Sequence, residues 1–111
     1  MKFLTISRSK DTMSTLPPSV LRQLMEATVA YMDEGRKKGA FLEYYFIPGW
    51  DRAVVISEAK SAEEIVQSIS GLPIGSFLDI EVYPLADPNE SMKIFIESLK
   101  AAEKMFPVPP K

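Results

Sequence analysis

Glu43, Asp79 and Glu81 are the side chains of this sequence best suited to moving a proton, and their importance follows from what the chain lacks. Its 111 residues contain no histidine and no cysteine. Without histidine, no side chain has an ordinary pKa close to neutrality, and no Ser-His or Cys-His pair can form. Without cysteine there is no thiolate nucleophile, no disulfide framework and no Cys-based zinc site. Acid-base chemistry must therefore rest on Asp, Glu, Lys, Tyr or a bound cofactor, and we expect neither a metal nor a cofactor. A carboxylate becomes a useful base once it is partly desolvated, because burial raises its pKa.

Asp79 and Glu81 stand in "FLDIEVY", residues 77–83. Alternation along a strand puts Leu78, Ile80 and Val82 on one face and Phe77, Asp79, Glu81 and Tyr83 on the other. Around these acids, Tyr45 and Tyr83 could donate to a developing oxyanion, and Trp50 could stack on a ring-shaped ligand or lid a pocket. Arg52 could grip a substrate carboxylate with its planar two-pronged donor set. Each residue also has a plainer reading. The acids could form interface salt bridges or stand solvated at a sheet edge, where charge discourages further pairing. Tyrosines pack well on pleated surfaces. Trp50 could cap the edge of the core, and Arg52 could pair with Asp51 or Glu58.

The elements that position these residues can be traced along the chain. "KFLTIS" (2–7) predicts a first strand and "RSKDTMSTLP" (8–17) a polar loop. Pro18 or Ser19 opens a helix to about Lys38, with Leu21, Leu24, Met25, Thr28 and Met32 on one stripe and Gly39 just past its end. Residues 40–47 and 52–59 are aromatic and β-branched runs around a Pro48-Gly49-Trp50-Asp51 hairpin turn. Ser61-Ala62-Glu63-Glu64 has capping-box spacing and starts a short helix to about Ser70, closed by Gly71. After the 77–83 strand, Asp87-Pro88-Asn89-Glu90 caps a third helix with Met92, Phe95, Ile96, Leu99 and Phe106 on one stripe. Met25, Met32 and Met92 are expected to fill core gaps.

This β-α-β-β-α-β order plus a C-terminal helix is the α+β, ferredoxin-like pattern, read as a single domain over residues 1–111 with an antiparallel four-stranded sheet in the order 4-1-3-2. Both internal helices cover one face. The other face is left open, carrying Phe41, Tyr45, Ile47, Phe77 and Tyr83, and an apolar patch of that size marks an interaction surface. A homodimer packed sheet against sheet is the expectation. Glu43 and the Asp79-Glu81 pair lie on opposite edges of one sheet, about 14 Å apart at roughly 4.8 Å per strand, so they could meet only across a dimer.

Composition sets the remaining bounds. At 46% hydrophobic and 25% charged the chain is an ordinary globular one, and its size allows a core without metal or disulfide support. The net charge is −2; the Arg36-Lys37-Lys38 cluster complements a helix dipole, so no nucleic-acid footprint is evident. No apolar run is long enough to span a membrane, and "MKFLTIS" is too short and strand-like for a signal peptide. A cytoplasmic location is the default reading.

"LPIGSFLDIEVYPLADP" (72–88) resembles the Leu-Pro, aromatic, Asp-Ile-Glu-Val, Pro-terminated ending of muconolactone Δ-isomerases, and "EGRKKGAFLEYYFIPGWDRAVVISEAKSAEEIVQSI" (34–69) is similar to their Gly-turn-strand, hairpin and short-helix order. The resemblance covers roughly residues 20–88; the loop at 8–17 and the C-terminal helix look like departures. It implies the dimeric α+β barrel superfamily and cofactor-free proton shuttling on a small unsaturated lactone in homo-oligomeric assemblies. Glu43 or Glu81 would then be the base, a tyrosine or a backbone amide the oxyanion donor, and Arg52 the anchor of the substrate carboxylate. Alternatives on the same scaffold are a non-catalytic small-molecule carrier, an assembly module whose open face is consumed by the partner, and a cofactor-free monooxygenase. A haem-degrading enzyme would lack a histidine ligand.

Overall fold

The computed structural model describes residues 1–49, 51–106 and 108. The order is β1 (Lys2–Ser9), a 3-10 turn (Asp11–Thr15), α1 (Pro18–Lys37), β2 (Phe41–Ile47), β3 (Arg52–Glu58), α2 (Ala62–Ser70), a second 3-10 turn (Gly75–Phe77), β4 (Leu78–Leu85) and α3 (Pro88–Met105). The sheet is antiparallel in the order β2-β3-β1-β4. This is the expected ferredoxin-like arrangement.

Local chemistry explains where the elements stop. α1 starts with Pro18 in its first turn and ends on Gly39 at φ 80°. There Gly39 N–H donates to Arg36 O and Ala40 N–H to Gly35 O, the paired bonds of a glycine-terminated helix. At α2 the Ser61 hydroxyl accepts from Glu64 N–H (3.2 Å), but the Glu64 carboxylate accepts from Lys60 N–H (2.9 Å). The expected reciprocal box is thus shifted outward by one residue. At α3 the Asp87 carboxylate accepts from Glu90 N–H (2.9 Å), and Pro88 occupies the first turn.

Two strand boundaries differ from expectation. Arg8 and Ser9 are strand rather than loop, because β1 finds partners on both sides: Arg8 lies opposite Arg52 and Asp79, and Ser9 opposite Leu78. Polar side chains are tolerated there since pairing uses only the backbone. Phe77 closes the turn before β4, with its N–H bonded to Ile74 O. It therefore does not belong to the open face.

A β-bulge at Leu42 makes the larger correction. Phe41 lies opposite Ser57, but the next paired residue, Glu43, lies opposite Ile56. The extra residue reverses the alternation. Phe41 consequently joins Tyr44 and Phe46 on the helix-covered side, 9% exposed, with its ring 6.0 Å from that of Tyr31. Glycine at position 35 permits this approach, since a Cβ there would overlap the Phe41 ring.

The core lies between that side of the sheet and α1 and α2. Phe3 (2% exposed), Ala59 and Ile65 form its centre with Ile69 against them, and Met32, Ile74 and Thr28 are also buried. The Tyr31 hydroxyl donates to Ser68 O and ties α1 to α2. α3 takes no part. It has no buried residue, and Met92, expected to fill the core, is 55% exposed. The radius of gyration is 20.1 Å, with extents of 71 × 30 × 22 Å, whereas a compact chain of this length has about 13 Å.

Candidate functional site

Antiparallel partners share a face, so the register lays out the open side of the sheet as rows running from β2 through β3 and β1 to β4. One row reads Glu43, Ile56, Leu4, Tyr83. The next is Tyr45, Val54, Ile6, Glu81, and the third is Ile47, Arg52, Arg8, Asp79. Six of the seven residues singled out in the sequence fall on this face. Trp50, the seventh, lies outside the described residues.

The structure brings only some of them together. A hollow of about 450 Å³ on this face is lined by Ile6, Arg8, Arg52, Asp79 and Glu81. Tyr83 adjoins it, its hydroxyl donating to Glu81 Oε2 at 2.6 Å. Glu43 and Tyr45 are on β2 at the far edge, three strand spacings or about 14 Å from β4. The pockets between helices and sheet are smaller, about 80 and 60 Å³, and none of the three candidate acids lines them.

The sequence does not single out Arg8, because "RSK" predicts a polar loop there. Continuing the alternation of Lys2, Leu4 and Ile6 by one step would have found it. Its position is unusual, since it stands directly opposite Arg52, and like charges in that arrangement repel. Neither guanidinium forms an ion pair with a carboxylate among the described residues, so the expected Arg52 pairing with Asp51 or Glu58 is not made. The hollow is thus divided by sign. Two guanidinium groups lie on β3 and β1, and two carboxylates lie toward the β4 edge.

The carboxylate of Glu81 raises the pKa of the Tyr83 phenol, chiefly by accepting its hydrogen bond and secondly by its negative charge. Tyr83 therefore keeps its proton throughout the neutral range and remains a donor. The local stability from this bond is present below the ordinary tyrosine pKa and is lost as pH rises through the raised value. Glu81→Gln removes the charge, so an ultraviolet tyrosinate titration should show one phenol moving down in pH relative to the parent protein. Superimposable curves would mean that the Glu81 charge does not act on this phenol in solution.

Comparison with known proteins agrees with this geometry at the level of the fold. A crystal structure of muconolactone isomerase superposes with a TM-score of 0.68 at 22% identity, covering 79% of this chain and 92% of that one. The 5-chloro-2-hydroxyhydroquinone dehydrochlorinase of Burkholderia phenoliruptrix, in complex with 2,5-dihydroxybenzoquinone, gives a TM-score of 0.64 at 14% identity, covering 81% and 98%. No curated protein sequence matches the chain. Among the described residues no helix is long and apolar enough to cross a membrane. The sequence pattern of the muconolactone delta-isomerase family, however, matches residues 1–90, which contain β1 to β4 and every candidate site residue, and the chain belongs to that family.

Proposed function

We propose that the open face of the sheet carries out cofactor-independent proton transfer on a small unsaturated lactone or cyclic acid bearing a carboxylate. The observation that carries this reading is the division of the hollow by sign, with Arg8 and Arg52 facing each other unpaired beside Asp79 and Glu81. Two guanidinium groups that make no ion pair with a carboxylate among the described residues are a receptor for a ligand carboxylate. Anchored there, the substrate turns its ring toward β4, where Glu81 takes the proton from the carbon γ to the conjugated lactone carbonyl, leaving a dienolate, and returns it to the α carbon as the double bond moves to the β,γ position. Tyr83 holds one oxygen of Glu81 and fixes its orientation. Asp79 stands opposite Arg8 at the β4 end of the row and adds its negative charge beside the guanidinium pair.

Both acids are exposed in a single chain, and proton transfer gains from excluding water. A second copy packed sheet against sheet supplies that exclusion, covering Tyr45, Ile47 and Tyr83, which are otherwise 38–59% exposed. A two-fold axis along the strands sets β2 of one copy over β4 of the other. Glu43 and Tyr45 then approach the acids from across the interface, with Tyr45 as the oxyanion donor.

The test is an ultraviolet assay of muconolactone isomerisation by the purified chain, beside Glu81→Gln, Glu43→Gln and Arg8→Gln. Turnover that depends on Glu81 supports the reading. A folded protein that binds the lactone equally well with either Glu→Gln change and never turns it over is a carrier.

A further inference from the structure

α3 has the surface of a buried helix, and nothing among the described residues buries it. Met92, Phe95 and Leu99 are 50–57% exposed, and Phe106 at its end is 75% exposed. The connector does not let it swing freely back onto the sheet. Only Ala86 and Asp87 separate it from β4, Asp87 is held as its cap, and Pro88 fixes the next turn. Nearly all of α3 also lies beyond residue 90, where the family pattern stops. Its role is therefore separate from the common body of the fold.

Its spacing and charge identify what covers it. Met92, Phe95, Leu99, Ala102 and Phe106 recur at intervals of three, four, three and four. Two heptads of this spacing make an apolar seam on which a second helix of the same kind can pack. At about 100° per residue, Glu90, Lys93, Glu97, Lys100 and Lys104 share an arc of roughly 80° away from the seam. Two pairs within this strip satisfy each other, Glu90 with Lys93 and Glu97 with Lys100, both at 3.4 Å. The helix carries three Glu and three Lys over residues 88–105. It therefore offers neither the basic face that an anionic membrane requires nor a net charge for an oppositely charged partner. The positions flanking the seam, Ser91, Ile96, Ser98, Glu103 and Met105, hold a single charge. Two copies of α3 can then pair in either direction without placing like charges opposite each other.

We infer that α3 is an assembly element that pairs with α3 of a second copy of this chain through the Met92-Phe95-Leu99-Phe106 seam. This contact is distinct from the sheet-on-sheet pairing and does not depend on the catalytic reading. The natural chain has no cysteine, so a single introduced one reports without background. Under mild oxidation of dilute full-length protein, Leu99→Cys should give a disulfide-linked dimer on a denaturing gel, whereas Lys93→Cys, on the charged strip, should remain largely monomeric. Phe95→Glu with Leu99→Glu should lower the sedimenting mass by at least half and leave the circular dichroism of the sheet unchanged. Equal cross-linking at positions 99 and 93, an unchanged mass in the double variant, or co-sedimentation of the parent protein with phosphatidylserine vesicles and no cross-link would each overturn the assignment.

Discussion

Glu81→Gln should lower kcat for lactone isomerisation by roughly 10²–10⁴-fold, the usual range for a lost general base, and leave KM within a few-fold. The two parameters separate because the two jobs fall to different strands. The amide is nearly isosteric with the carboxylate and its carbonyl can still accept from the Tyr83 hydroxyl, so the side chain keeps its place and loses only its basicity. Substrate affinity rests on the guanidinium pair of β1 and β3, which this change does not touch. Arg8→Gln should show the opposite pattern. One charge-assisted hydrogen bond is worth about 1.5–3 kcal/mol, so KM should rise by about 10- to 100-fold with a smaller change in kcat. Steady-state kinetics on the folded oligomer decides the matter: a Glu81→Gln enzyme within a few-fold of the parent kcat would remove Glu81 from the chemistry and turn attention to Asp79 and Glu43.

Phe3→Ala should cost about 3–5 kcal/mol of stability, the range for deleting a buried aromatic ring. Phe3 is 2% exposed, on the helix-covered side of a central strand, between Ser57 and Pro84 in neighbouring strands and under Ile65 of α2. Serine at 57 is small, and a proline at 84 cannot move its ring to refill the space, so the cavity should persist. Against the 5–15 kcal/mol typical of a whole domain, the loss is large. Urea unfolding at one fixed protein concentration measures it, since any assembly adds its own stability. A change below about 1 kcal/mol would place the core elsewhere.

Much of this architecture was legible because local signals agreed with one another. Gly39, Ser61, Gly71 and Asp87-Pro88 marked helix ends that the structure keeps, and alternation in β4 placed Asp79, Glu81 and Tyr83 on the correct face. The errors have one physical origin, which is that pairing is not a local property. Nothing in "RSK" shows that two neighbouring strands extend β1 through Arg8 and Ser9. Likewise nothing in "AFLEYYFI" reveals the bulge at Leu42, because the space that the Phe41 ring then occupies lies beside Gly35 in a different element. Strict alternation therefore sent Phe41 to the wrong side, while Glu43, Tyr45 and Ile47 were placed correctly. The role of Met92 failed for a related reason. A helical stripe shows that a face is to be covered, but not whether the cover comes from the same chain.

The central position of β1 has a consequence for how the chain comes into being. Both its partners lie downstream, β3 ending at Glu58 and β4 at Leu85. During synthesis from the N-terminus, β1 is the first strand made and the last to have both edges paired. The β2-β3 hairpin, by contrast, closes over a turn of four residues, so it can form as soon as it emerges. Closing contacts over such long separations is slow compared with closing a hairpin, and until residue 85 has been made one edge of β1 offers unpaired backbone to any neighbouring nascent chain. Arg8 then has a second use: a charge on that waiting edge discourages the wrong partner before the right one exists.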